Sequence, residues 1–298
     1  MLKLQQLRQF VIAASTGSLK NAATSTFRSQ AAVSIAMREL ENQIGGNLLE
    51  RGRRGKFTAL AETLLPQFQE LLALHDRIVG QARQLAKGEH GSISMAVAPF
   101  IAEQWLPNII ARFAQLHPGV RIRTIEERSS NIRSLVADGT VNIGVAGLLV
   151  GDPKLNVKQV ATDSYGVLCS ADHPLARKRT ASWTSLRGEK LIGSDAFEVL
   201  VAAGLADLDP PELVITSRAP LLACVRMNLG VTILPMLTRP IPSDGLAFVP
   251  LVRPKLSRTL AILTRGPESL LPAGLRLEAM LFDSLREYAL RRGALPAN

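Results

Sequence analysis

Leu4, Leu7, Phe10 or Val11 and Ala14 recur at helical spacing and predict an amphipathic helix that ends before Gly17. Ser18 reads as the N-cap of a short second helix, Leu19 to about Thr26, whose Ala22 and Ala23 are small enough to let two helices cross closely. Ser29 reads as the cap of a third, with Val33, Met37, Leu40 and Ile44 as its apolar stripe and Gly45-Gly46 as its stop. On a helical wheel Ala31, Ser34, Ile35, Arg38 and Asn42 fall opposite that stripe, with Gln30 at the rim near the N-terminus. The next segment, Leu48 to Thr58, places Arg51, Arg53, Arg54 and Lys56 in a glycine-containing turn between apolar anchors. Arginines at the tip of such a turn suit phosphates or a narrow minor groove.

From Thr58 the pattern is helical again. Leu64, Phe68, Leu71, His75, Ile78, Ala82 and Leu85 alternate spacings of four and three, as a coiled-coil seam does. A second copy of the chain is the economical partner for this stripe, with His75 as a packed interface residue and Pro66 perturbing the first turns. Residues 87–91, Lys-Gly-Glu-His-Gly, read as a domain boundary. Beyond it strands and helices alternate: strand Ile93–Ala98, helix Glu103–Leu116, strand Val120–Ile125, helix Asn131–Asp138, strand Val141–Ala146. The series continues with Gly166–Ser170, Lys190–Ile192, Leu213–Thr216, a helix Pro220–Leu229, strands Val231–Leu234 and Leu260–Thr264, and a helix Pro272–Leu290. Repeated βαβ units imply an α/β fold with a mainly parallel sheet and ligands at the carboxyl ends of its strands.

Composition changes the picture mainly through charge. The 298 residues allow two or three domains, and 47% hydrophobic with 20% charged residues fits a folded soluble protein. Residues 1–57 hold nine of the 35 basic residues and three of the 25 acidic ones, so the head carries +6 of the net +10. A basic head on a nearly balanced body suggests a polyanion-binding module joined to something else. Cys169 and Cys224 stand 55 positions apart, with no CxxC and no clustered histidines, so neither a disulfide framework nor a metal site is indicated. No apolar run reaches membrane-spanning length and no signal-peptide pattern opens the chain, so a cytoplasmic location is expected. GxGxxG, GxxxxGK[ST], HExxH and GxSxG are all absent, and His75, His90, His117 and His173 are scattered. No catalytic constellation and no cofactor is therefore expected.

The residues from Ser18 to Thr58 carry a resemblance. Gly17-Ser18, Ala22-Ala23, Ser29-Gln30, Ser34, Arg38, Leu40-Glu41 and Leu49-Glu50-Arg51 stand in the register of the N-terminal winged helix-turn-helix of LysR-type transcriptional regulators. The chain departs from that pattern at Ala31, where the family has proline, at Ile35 and Ala36, where it has polar or basic residues, and at Ala61, where it has glycine. Ile35 either meets a thymine methyl or marks weaker direct base reading. Leu106-Pro107 with Phe113, Pro118-Gly119-Val120, Asp172-His173-Pro174-Leu175 and Leu229 to Pro235 resemble the family's effector-binding region. The resemblance implies an all-α winged helix-turn-helix head (1–58), a dimerising linker helix (59–87) and a two-lobed effector domain of the periplasmic-binding-protein type (91–298). Lobe one would comprise 91–161 and 266–298, and lobe two 162–265.

It also implies where ligands sit. Ser29, Gln30, Ala31, Ser34, Ile35 and Arg38, with Arg51, Arg53, Arg54 and Lys56, would face DNA. Pro99, Phe100, Ile101, Ser129, Ser130, Ser194 and Asp195 would line the inter-lobe cleft. Phe100 replaces the Ser or Thr with which many relatives hold a carboxylate, the segment from Ser194 to Leu213 is shorter than usual, and Asp195 adds negative charge. These features point toward an effector with an apolar or cationic part, unless Phe100 simply packs beneath the cleft. Arg218 is either a further charge in the site or a surface residue, and Cys169 either reaches the cleft or is a buried inert thiol.

The expected function is a LysR-type regulator, not an enzyme, that binds double-stranded promoter DNA as a homotetramer, a dimer of dimers, and answers a small-molecule effector. RNA polymerase is a further candidate partner. Two rivals remain open at this point, a sensor module with degenerate DNA reading and a cleft enzyme.

Overall fold

A computed structural model describes residues 2–50, 56–149, 154–202, 204, 208, 210–240 and 245–296. The chain divides into two compact units, Met1–Gln84 and Leu85–Asn298.

The first unit opens with α1 (Leu4–Thr16), α2 (Leu19–Ser25) and α3 (Gln30–Ile44). The polar punctuation sets their limits. Ser18 Oγ accepts from Asn21 N–H and Ser29 Oγ from Ala32 N–H, each satisfying an orphan donor of a first turn. Gly45 closes α3 at φ 76°, a left-handed conformation that a side chain would disfavour. Leu7, Phe10, Ala22, Val33, Met37 and Leu40 meet in one core. There the Phe10 ring stands edge-on to Phe57 and Phe68, at 6.0 and 5.6 Å.

The fourth helix, α4 (Ala59–Lys87), runs through Pro66 as a single element. Its apolar residues divide between two faces. Ala61, Leu64, Leu65, Phe68 and Leu72 pack into the head core, whereas Leu60, Leu71, Leu74 and Ile78 are exposed. Of the seam expected from sequence, Leu71, Ile78 and Ala82 are exposed and Leu64 and Phe68 pack against the head core, while Leu60 and Leu74 lie on the exposed side. A three-helix head needs a fourth apolar surface, and the first turns of α4 supply it. His75 is partly exposed, and its Nδ1 lies 2.9 Å from Asp76 Oδ1. Hydrogen bonds from His75 and then Arg8 hold the Asp76 carboxyl below its usual range.

The second unit begins β1 (Gly91–Val97), α5 (Pro99–Gln104), α6 (Leu106–Leu116), β2 (Val120–Glu126), α7 (Ser129–Ala137) and β3 (Ile143–Leu148). The single helix expected over 103–116 is two. Pro107 cannot donate to the carbonyl four residues back, and the chain breaks at Trp105, φ −121°. Trp105 is buried, with Nε1 donating to Ser284 Oγ at 2.9 Å.

A 15-residue strand, β4 (Asn156–Ser170), follows, then β5 (Ala181–Ser182), β6 (Ile192–Gly193), α8 (Asp195–Ala202), β7 (Leu213–Val214), α9 (Arg218–Arg226), β8 (Thr232–Pro235), β9 (Leu246–Val252), β10 (Ser257–Thr264), α10 (Pro272–Arg291) and β11 (Leu295–Pro296). The main sheet runs β2-β1-β3-β10-β4-β9-β5, with β8 and β11 also on β4. It is mixed, not mainly parallel. The pairs β1 with β2 and β3 are parallel, while β10 runs antiparallel to β3 and β4, and β4 antiparallel to β8 and β9.

The antiparallel pairs mark a chain that leaves one core and returns beside itself. The first half of β4 gives Val160 and Ala161 to a core shared with β1, β3, β10 and α10. Its second half gives Tyr165, Val167 and Cys169 to a second core with Trp183, Phe197, Ile233 and Val249. Two lobes thus share β4 as a common strand, and the open ends of their helices border the cleft between them.

Candidate DNA interface and effector cleft

In the head, α3 buries Val33, Met37 and Leu40 and leaves Gln30, Ala31, Ile35 and Arg38 exposed, Ile35 at 59%. Ser29 is occupied as the cap, and Ser34, half-buried, donates to Gln30 O at 2.9 Å. Two head acids are committed to structure. Glu39 Oε2 accepts from Gln6 Nε2 at 2.7 Å, and Glu41 Oε1 accepts from both Leu48 and Leu49 N–H at 2.7 and 3.0 Å. The turn after α3 closes through the antiparallel bridge Leu49–Phe57 and the bond from Glu50 N–H to Lys56 O, which leaves Lys56 exposed beside it. Arg51, Arg53 and Arg54 lie outside the described residues. Sequence reasoning passed over Phe27, which stands 95% exposed at φ 53° in the turn that leads to α3. Its signal was an aromatic in the polar turn between two predicted helices, outside the apolar stripe of either.

In the second unit two connected hollows lie between the lobes. An inner cavity of about 180 Å³ is lined by Phe100, Leu149, Tyr165, Val199, Leu221 and Arg258, and also by Pro99, Ser129, Ser130, Ser194, Asp195 and Arg218. An outer mouth of about 620 Å³ adds Glu103, Glu126, Glu127 and Arg226. Pro99 and Phe100 come from the start of α5, Ser129 and Ser130 from α7, Asp195 from α8 and Arg218 from α9. Both α7 and α9 begin two residues earlier than their apolar periodicity suggests. That shift brings Ser129, Ser130 and Arg218 into first turns, where N–H groups favour anions.

Ser129 Oγ accepts from Gly147 N–H, and Ser194 Oγ donates to Ile233 O while accepting from Phe197 N–H. Ser194 is thus a structural cap at the cavity wall. Phe100 both packs in the first core and floors the cavity, and the Arg258 guanidinium lies 5.3 Å from its ring centroid. Arg258 in turn meets the fully buried Asp163 through Nε and Nη2, at 3.3 and 3.2 Å from Oδ2, while Leu237 N–H donates to Oδ1. Burial holds the Asp163 carboxyl above its usual range, against the opposing pull of Arg258. Burial likewise raises the Tyr165 phenol.

Two expected cleft residues are elsewhere. Ile101 is wholly buried in the first core, because it lies one position past Phe100 on α5 and faces inward. Cys169 points into the second core with Sγ 3.7 Å from Ala247 O, and burial pushes its thiol up to about 11. Alternation along β4 decides this, since residues 165, 167 and 169 share the core face.

Residues 4–62 match the bacterial regulatory helix-turn-helix protein family of lysR type, and residues 86–286 match the LysR substrate binding domain. The chain belongs to the LysR family of transcriptional regulators. It is 29% identical over 290 residues to the uncharacterised HTH-type transcriptional regulator YbhD of Escherichia coli strain K12, covering 94% of this chain and 91% of that one. Its identity to the probable HTH-type regulator LrrA of Synechococcus elongatus is 31%, over 85% and 88% of the two chains. Among solved structures it is similar to oxidised Corynebacterium glutamicum OxyR, with TM-score 0.74 and 21% identity over 97% and 94% of the chains. It is also similar to CbnR in complex with its target DNA, with TM-score 0.64 and 22% identity over 95% and 99%.

Membership in the LysR family sets the chain among regulators rather than enzymes. No described helix is long and apolar enough to cross a membrane. The LysR cleft here also takes in Arg128, Tyr165 and Arg258, which the sequence reading did not find, with Asp163 fully buried against Arg258. Asp163 and Arg258 are 95 positions apart, on strands whose pairing alone brings them together. Each stands between two hydroxyl residues, Thr162 and Ser164 or Ser257 and Thr259, so no local pattern marks it.

Proposed function

We propose that this LysR-family regulator acts in the cytoplasm, reads promoter DNA with the exposed face of α3, and changes its DNA complex when a small molecule fills the cleft of the second unit. The observation that carries this reading is that face itself. Gln30, Ala31, Ile35 and Arg38 stand free of the head core at the N-terminal half of a capped helix, where base contacts concentrate. Lys56, with Arg51, Arg53 and Arg54 of the same segment, would track phosphates and the neighbouring minor groove. The exposed stripe Leu60, Leu71, Leu74 and Ile78 supports pairing with a second copy, and two such dimers would make the tetramer. RNA polymerase would be the further partner of a promoter-bound tetramer.

Mobility shift on the DNA flanking the gene, at two salt concentrations, tests the reading. Arg53→Ala is expected to weaken binding on every sequence and to flatten the salt dependence, whereas Gln30→Ala chiefly relaxes sequence preference. Sequence-blind binding by the wild type would instead favour a sensor whose head has lost base reading.

A further inference from the structure

Two ion pairs of opposite sense cross the cleft. Arg128, at the start of α7 in the first lobe, faces Asp195 of α8 in the second, with Nε 3.1 Å from Oδ1. Glu103 of α5 in the first lobe faces Arg218 of α9 in the second, with Oε2 2.7 Å from Nε. Each lobe therefore presents one cation and one anion to the other, and both pairs border the inner cavity or its mouth. The Glu103–Arg218 contact is close but poorly aligned, so the buried Arg218 Nε–H makes no directed hydrogen bond among the described residues. A donor held by charge alone, at the first residue of α9, is well placed for a carboxylate brought by a ligand.

Behind the pairs the wall turns apolar, with Phe100, Leu149, Val199, Leu221 and Leu234. At ~30 Å³ per water-sized group, the inner 180 Å³ holds about six such groups. A ligand that uses these side chains must separate the pairs. A dicarboxylate would satisfy the arginines and leave Glu103 and Asp195 facing like charge in a partly dry cleft, which is costly. An amine reverses the fault. A molecule with adjacent carboxylate and ammonium takes one charge of each sign, so the partners it displaces, Glu103 and Arg128, are themselves of opposite sign.

We propose that the effector is a zwitterion of amino-acid type, whose carboxylate takes Arg218 and whose ammonium takes Asp195, with an apolar side chain of about six heavy atoms on Phe100. This rests on reading the cleft as the effector site. The ligand takes the second-lobe member of each cross-cleft pair, which parts Glu103 and Arg128 of the first lobe from those partners and leaves the side chain on Phe100 as the ligand's contact with that lobe.

Calorimetric titration of the full-length protein with the twenty protein amino acids, each beside its deaminated acid and its decarboxylated amine, tests the proposal. At least one apolar amino acid is expected to bind tenfold or more tightly than both of its counterparts. Asp195→Asn should erase its preference over the acid, and Arg218→Gln its preference over the amine, with thermal melting confirming that both variants fold. An acid that binds as tightly as its amino acid overturns the zwitterion yet keeps the cleft as an effector site. A preference untouched by either variant overturns the placement. Absence of binding across all three sets overturns the zwitterion, and if a metabolite extract also leaves melting unchanged, the effector reading of the cleft falls with it.

Discussion

Arg258→Met removes the guanidinium that faces Asp163 and lies above Phe100. Asp163 is fully buried and Arg258 nearly so, with side-chain exposures of 0% and 11%. Taking one partner from such a pair leaves an uncompensated charge and costs about 3–5 kcal/mol. For a unit of this size that is a fall in Tm of about 6–20 °C. The loss should depend on pH. Burial already holds the folded carboxyl above its usual range, and without Arg258 it rises further. A raised folded pKa means that the folded state keeps a proton the unfolded chain releases, so stability is full at low pH and is lost as pH climbs through the folded pKa. The deficit of Arg258→Met is therefore expected to be larger at pH 7.5 than at pH 5, and Asp163→Asn added to it should restore at least half. Urea unfolding followed by tryptophan fluorescence reads this cleanly. The two tryptophans, Trp105 and Trp183, are both buried in the second unit, one in each lobe core. A variant within about 1 kcal/mol of wild type at both pH values, or a deficit that grows toward pH 5, would refute the reasoning.

Glu41→Ala removes the carboxylate oxygen that accepts from Leu48 and Leu49 N–H, and a cost of about 1.5–3 kcal/mol to the head is expected. Circular dichroism melting and loss of binding on specific and scrambled DNA alike check it; unchanged melting would count against the wing anchor. With its pKa near 11, Cys169 is ionised in only about one molecule in a thousand at pH 8. In a Cys224→Ser background it should resist a disulfide reagent until urea is added, and stoichiometric labelling of the native protein within minutes would contradict its burial. Ile78→Glu puts a charge on the exposed stripe of α4 and is expected to yield monomers by sedimentation at micromolar concentration. Leu72→Glu, on the buried side of the same helix, should unfold the head instead.

The head was legible because its signals are local. Ser18, Ser29, Gly17 and Gly45 punctuate helices whose stripes a wheel can place, and those residues make the expected caps. The exposed face of α4 was not, because residues on a long helix divide between the head core and the open side according to tertiary contact, which spacing alone does not reveal. The cleft was legible in part for the same reason. The family resemblance placed Ser129, Ser130, Ser194 and Asp195 at the cleft although the pattern began α7 two residues late, but Asp163 and Arg258 owe their meeting to β4 and β10 pairing antiparallel across 95 positions. The mixed sheet escaped notice for a related cause. No single alternation runs along β4, since residues 165–170 are all buried and its two halves serve different cores. Ile101 and Cys169 show the remaining limit, as a one-residue change in side-chain direction carries a residue from the cavity wall into the core.

The most direct measurement is a competition, by fluorescence anisotropy, between a labelled duplex from the DNA flanking the gene and scrambled duplexes of equal length and composition, at physiological salt. A sequence-reading α3 is expected to favour the flanking DNA by about a thousandfold or more, with Gln30→Ala collapsing that ratio. Equal affinity for both duplexes, at every salt concentration, would contradict it.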